Sequence, residues 1–183
     1  MRLVACACIV AAVALAATAT ATAEPLPAGR VSFVGGVRTG TGSLYSSIGT
    51  GAVYGFEAQY APLRAPQTIG LGLTWSLLWS RHGSGSARIV DELKMVEFDA
   101  GARIRMMPGP RRRTVLFVGG GAALIRTNEA LFADGDRSYL GPWGAIGVET
   151  LAFGLVATAS LRFGAIRDGQ GTVGLMLSVG SGR

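Results

Sequence analysis

Past residue 8 this 183-residue chain has no cysteine, and it has one histidine, His82. Cys6 and Cys8 both lie in the apolar N-terminal stretch, so the remainder can form no disulfide, no thiolate metal site and no cysteine nucleophile. One histidine also rules out a histidine-rich metal centre. Charge is scarce as well, at 15% of residues, while 49% are hydrophobic. That is too apolar for a disordered chain, and the Ala/Glu/Lys/Leu weighting of a helical bundle is missing. Beyond the first 23 residues no apolar run approaches the roughly 20 residues of a transmembrane helix.

The N-terminus, MRLVACACIVAAVALAATATATA, carries Arg2, an apolar run from Leu3 to Ala17 and a small-residue exit at Ala21-Thr22-Ala23. This is the pattern of a secretory signal peptide over 1–23, cleaved near Ala23, which leaves 24–183 as a single domain. Leu3-Val4-Ala5-Cys6 has the look of a lipoprotein acylation box, but it precedes the apolar core instead of following it. The formal net charge is +6; without Arg2 it is about +5 by the same count. For an exported chain, anionic lipid phosphates are a nearer partner than nucleic acid.

What the chain does have is alternation. In TIGLGLTWSLLWS, Ile69, Leu71, Leu73, Trp75, Leu77 and Trp79 share one parity, Thr68, Gly70, Gly72, Thr74, Ser76 and Ser80 the other, and Leu78 breaks the rule. A period of two places the large apolar groups on one face of a strand. The same pattern recurs in GRVSFVGGVR, AVYGFEAQY and MVEFDAGARIRM, then at Leu155–Gly164 and Val173–Val179. TVLFVGGGAALIR and YLGPWGAIGVET are strand-like, without showing which face is which. That makes eight strands of about nine to thirteen residues, the length of a tilted membrane-crossing strand. TGTGSLYSSIG, RHGSGSARIVDE and TNEALFADGDRS form long connections, whereas PLRAPQ, PGPRR, Phe153-Gly154 and RDGQG are short.

A soluble β-sandwich or a lipocalin-like binding barrel would show the same alternation, with Lys, Glu and Asp covering its outside. Here the face opposite the leucines is mostly Gly, Ser and Thr, which suits the narrow lumen of an eight-stranded barrel. The few charges on that face, Glu57, Glu97, Asp99, Arg103, Arg105, Glu149 and Arg162, are of both signs and are expected to pair as a lumen network. Tyr54, Tyr60, Trp75 and Trp79 on the other face are expected to meet the lipid interface.

Signal peptide, eight alternating strands, long-loop and short-turn rhythm and polar lumen together resemble the small outer-membrane β-barrels of Gram-negative bacteria, the OmpA/OmpX-like class. The resemblance covers essentially all of 24–183 and rests on pattern, with no sharp motif. It implies an all-β, antiparallel up-and-down transmembrane barrel exported through Sec, non-enzymatic and monomeric. Its implied role is structural or one of surface contact. It also implies no cofactor or metal, no nucleic acid, and as partners outer-membrane lipids, lipopolysaccharide and the outer-membrane assembly machinery. Such barrels usually end in an aromatic residue read by that machinery, where this chain ends Leu177-Ser178-Val179-Gly180-Ser181-Gly182-Arg183.

Four short motifs carry possible chemistry. Arg81-His82-Gly83-Ser84-Gly85 resembles the His-x-Ser element of outer-membrane lipid A deacylases. That likeness would make Ser84 the nucleophile, His82 the base and Glu92 or Glu97 the orienting carboxylate; the family's asparagine after the serine is Gly85 here. Gly119-Gly120-Gly121 lacks dinucleotide-loop spacing and suits close approach inside a tight barrel. Arg111-Arg112-Arg113 reads as a solvated turn or a contact with anionic headgroups. Asp134-Gly135-Asp136 lacks the further acidic ligands of a calcium loop and reads as a turn.

Overall fold

The computed structural model describes residues 28–42, 48–60, 69–84, 92–107, 114–128, 135–167 and 170–182. The 1–23 leader, Arg111 to Arg113 and Asp134 lie outside them.

Eight strands run β1 (Gly29–Thr41), β2 (Ile48–Tyr60), β3 (Ile69–Ser84), β4 (Glu92–Met106), β5 (Thr114–Thr127), β6 (Ser138–Ala152), β7 (Leu155–Ala165) and β8 (Gly171–Gly182). Each pairs antiparallel with its neighbour in sequence, and β1 pairs with β8, so the sheet closes into a barrel. Closure leaves no strand edge with unpaired backbone groups. The first and last strand residues, Gly29 and Gly182, lie at one end of the barrel, called here the near end.

The strands are longer than the alternation suggested. β3 continues through Arg81 and His82 to Ser84, residues the sequence reading gave to a loop. The links are therefore 42–47, 61–68, 85–91, 107–113, 128–137, 153–154 and 166–170. The contrast between long loops and short turns is correspondingly weaker than the sequence suggests, because β-pairing extends past the last large apolar residue. The tightest link is Phe153-Gly154, with φ of 54° and 75°. Two successive positive φ values match a two-residue hairpin turn of the kind that follows strand twist.

Inside and outside alternate with little exception. Along β4, Leu93, Met95, Glu97, Asp99, Arg103 and Arg105 are buried and alternate with outward-facing neighbours. The two strands whose faces the sequence left open are resolved. Val115, Phe117, Ala123, Ile125, Tyr139, Trp143 and Ala145 point in. Leu116, Val118, Leu124, Leu140 and Ile146 point out. Leu78, the exception in its strand, is inward and packs with Val34, Val53 and Met176 as an apolar layer inside the lumen.

Candidate functional site

Arginines and carboxylates fill the lumen in two layers. Nearer the termini, Glu149 is fully buried on β6 and gathers three arginines from two other strands. Its Oε1 accepts from Arg30 at 3.0 Å and Arg103 at 2.8 Å, and its Oε2 from Arg105 Nε at 3.0 Å. Arg103 also donates to Glu57 at 3.0 Å and to Gln59, while Arg30 donates to Thr158 at 3.0 Å. The Arg103 guanidinium lies 4.1 Å from the centre of the Phe117 ring.

The second layer joins Arg38, Glu97, Asp99 and Arg162. Glu97 accepts from Arg38, and from Arg162 at 3.3 Å. Asp99 pairs with Arg162 and accepts from Ser76. Arg162 stacks 4.4 Å above Trp143, whose Nε1 donates to the Ala100 carbonyl at 3.3 Å. Trp143 lies close because Gly101 has no Cβ; one there would strike both the Gly120 carbonyl and the ring.

Burying ions is tolerated only with partners of opposite sign at hydrogen-bond range. Here five arginines face four carboxylates across strands far apart in sequence. Between the layers lies a cavity of about 20 Å³ lined by Glu57, Ser76, Arg103, Thr158, Arg162 and Ser178 among others. That is room for about one water molecule. Above the second layer, Leu93, Met95, Ile125, Tyr139 and Ile166 form an apolar plug.

The outside is the reverse. Leu71 is 68% exposed and Leu140 72%, and Val31, Phe33, Phe56, Leu73, Phe98 and Leu124 are exposed with them. The outward row from Ile69 to Trp79 measures roughly 33 Å at about 3.3 Å per residue. A strand tilt of about 40° makes that a belt about 25 Å tall, the apolar height of a membrane barrel. Tyr54 and Trp79 are opposed in register and stack with ring centres 6.1 Å apart. Tyr54 lies midway along β2, Tyr60 ends that strand at the near end, and Trp75 lies in the middle of β3's outward row.

No family model and no curated protein sequence matches the chain. Solved structures do. The crystal structure of Neisserial surface protein A (NspA) superposes with a TM-score of 0.61 at 15% identity, over 85% of this chain and 97% of that one. Ail, the attachment invasion locus protein of Yersinia pestis, solved with the heparin analogue sucrose octasulfate, gives 0.51 at 15% identity, over 83% and 97%. The fold is that of the small eight-stranded outer-membrane β-barrels.

Within that barrel the seven charges named from sequence, Glu57, Glu97, Asp99, Arg103, Arg105, Glu149 and Arg162, are all inward and belong to the two layers. Arg30, Arg38 and Gln59 belong there too; the parity of β1 and β2 already set them opposite the apolar face. Trp143 and Phe117 had no such signal, because their strands are apolar on both faces.

His82 and Glu92 of the deacylase-like grouping are not brought together. His82 is inward, its Nε2 3.2 Å from Ser80 Oγ and its Nδ1 3.3 Å from the Gly49 carbonyl. Glu92 pairs in register with Gly83 and is outward, bridging Arg81 and Lys94, so it and His82 lie on opposite faces of the sheet. Glu97 is held by Arg38 and Arg162. Ser84 ends β3, and its side chain lies outside what is described. Among the described side chains, the serine that meets the histidine is Ser80, two residues earlier on the same face.

Proposed function

We propose that this chain is an integral, non-enzymatic and monomeric protein of the bacterial outer membrane. The 1–23 leader is removed on export, and the outer-membrane assembly machinery inserts the barrel. The barrel serves as a filled anchor, with its far end at the cell surface for contact with lipids, lipopolysaccharide or another partner. The observation that carries this reading is the inverted polarity: arginines and carboxylates inside, leucines, valines and aromatics outside. In water such an exterior would be an aggregation liability, because contiguous apolar patches beyond a few hundred Å² are rare on soluble monomers. In a bilayer it is the solvent-matched face. A soluble lipocalin-like binder would need a ligand cavity of about 300 Å³ or more, and the space between the charged layers is about 20 Å³.

Heat-modifiability in isolated outer membranes tests the proposal. A folded barrel that survives SDS until boiled gives different mobilities for boiled and unboiled samples. That shift, in the outer-membrane fraction, is the expected result. A soluble periplasmic band without a shift would overturn the reading.

A further inference from the structure

At the far edge of the apolar belt the outward positions of three adjacent strands are cationic. Arg81 on β3 is opposite Lys94 on β4, and Val96, the next outward residue of β4, is opposite Arg126 on β5. Arg81 and Lys94 side chains are 68% and 62% exposed, and Arg126 is exposed too. Glu92 is the one carboxylate among the described outward residues of these strands. It pairs with Arg81 and lies 3.6 Å from Lys94. Counted over the described outward residues of these strands, the sector is positive even with Glu92 included. In the adjoining link Asp136 and Arg137 are both exposed and of opposite sign, and the sequence adds Glu129 and Asp134 there.

The rest of the circumference is different. Thr39 and Thr41 on β1, Thr50 and Ala52 on β2, Leu140 on β6, Phe163 and Ala165 on β7 and Val173 on β8 hold the corresponding outward positions, and none is charged. Among the outward strand residues at this level the cations are confined to β3–β5; Arg167, exposed just past the end of β7, is a separate far-end cation. Immediately below them the same face is apolar, through Trp79, Val96, Leu124 and Phe98. The next outward pairs are small: Ala100 opposite Ala122 and Ala102 opposite Gly120. A headgroup held at the cations would place its chains along this face.

We propose that the β3–β5 sector, through Arg81, Lys94 and Arg126, binds the phosphate groups of a lipid in the membrane leaflet at the far end of the barrel. This rests on the membrane-spanning reading above. Surface cations beside an anionic leaflet each strengthen binding on the order of fivefold, and the attraction falls off within a Debye length. Three on one sector select a headgroup of net negative charge over a zwitterionic one, and they orient it above the belt.

The test uses the full chain folded in nonionic detergent, with bisphosphorylated lipid A or phosphatidylcholine added and adducts read by native mass spectrometry. Wild type is expected to retain lipid A in preference to phosphatidylcholine, and excess inorganic phosphate is expected not to displace it. Replacing Arg81, Lys94 and Arg126 by Gln together should lower lipid A affinity on the order of 100-fold, with phosphatidylcholine retention unchanged. Replacing Arg111, Arg112 and Arg113 by Gln removes the same charge from a near-end link and should leave lipid A bound. Equal retention by the sector variant, an equal loss in the near-end variant, or displacement by inorganic phosphate would each overturn the proposal. Heat-modifiability of each variant is read in parallel. A wild type that shows no shift would mean that the membrane-spanning reading has failed; a shifting barrel that ignores lipid A would mean that only the lipid site has.

Discussion

A buried carboxylate that serves three arginines is not equivalent to one that serves a single arginine, and Glu149 and Glu57 make the comparison within one layer. Glu149 is fully buried and accepts from Arg30, Arg103 and Arg105, whereas Glu57 accepts from Arg103 at 3.0 Å and has Arg30 only at 3.7 Å. Glu149→Gln keeps the shape but removes the charge, leaving Glu57, which pairs with Arg30 and Arg103, as the remaining carboxylate of this layer. Breaking a buried ion pair from one side costs about 3–5 kcal/mol, most of it the penalty of the stranded charge. The expected outcome is a barrel that loses its unboiled mobility at a clearly lower temperature than wild type. Glu57→Gln should shift that temperature by a smaller amount. Equal shifts for the two variants would mean that charge in this layer is not focused on Glu149.

At the scale of the strand, the parity rule makes neighbours in sequence into opposites in environment. Leu77 and Leu78 share a residue type and a strand. Leu78 is 2% exposed among Val34, Val53 and Met176, and Leu77 is 38% exposed on the outer belt. Leu78→Ala opens a cavity in the lumen and should cost about 2–5 kcal/mol. Leu77→Ala exchanges one lipid-facing apolar group for a smaller one and should cost under about 1 kcal/mol. Chemical denaturation of the refolded barrel in detergent micelles measures both; equal losses would contradict the assigned faces. The same rule explains what the sequence let a reader see. β1, β2, β3, β4, β7 and β8 could be faced from sequence because Gly, Ser, Thr and charge occupy one parity and large apolar groups the other. β5 and β6 could not: Val115, Phe117 and Ile125 inside alternate with Leu116, Val118 and Leu124 outside, so both parities look alike. Arg30, Arg38 and Gln59 followed from parity alone. The Ser80–His82 contact did not, because the end of β3 reads as a loop; pairing with β4 carries the strand to Gly83, and pairing with β2 to Ser84. The seating of Trp143 under Arg162 was equally hidden, since it depends on the missing Cβ of Gly101 on a different strand.

The whole molecule puts its charge where a channel would need water. Continuous ion flow through a barrel requires a hydrated path from end to end. This lumen is crossed by Glu149 with its arginines backed by Phe117, then by Glu97, Asp99, Arg38 and Arg162 backed by Trp143, and finally by the plug around Leu93, Met95 and Ile125. Between the first two layers there is space for about one water, in a cavity of about 20 Å³. Eight strands set this limit, because a barrel of that number has an interior just wide enough for its own side chains. Purified protein reconstituted into a planar lipid bilayer should therefore pass no stepwise current, while its unboiled mobility confirms that the inserted barrel is folded. Discrete conductance steps from a folded sample would mean that the ion-pair layers separate in the membrane. The lumen would then be a gated path, and the filled-anchor reading would give way to transport.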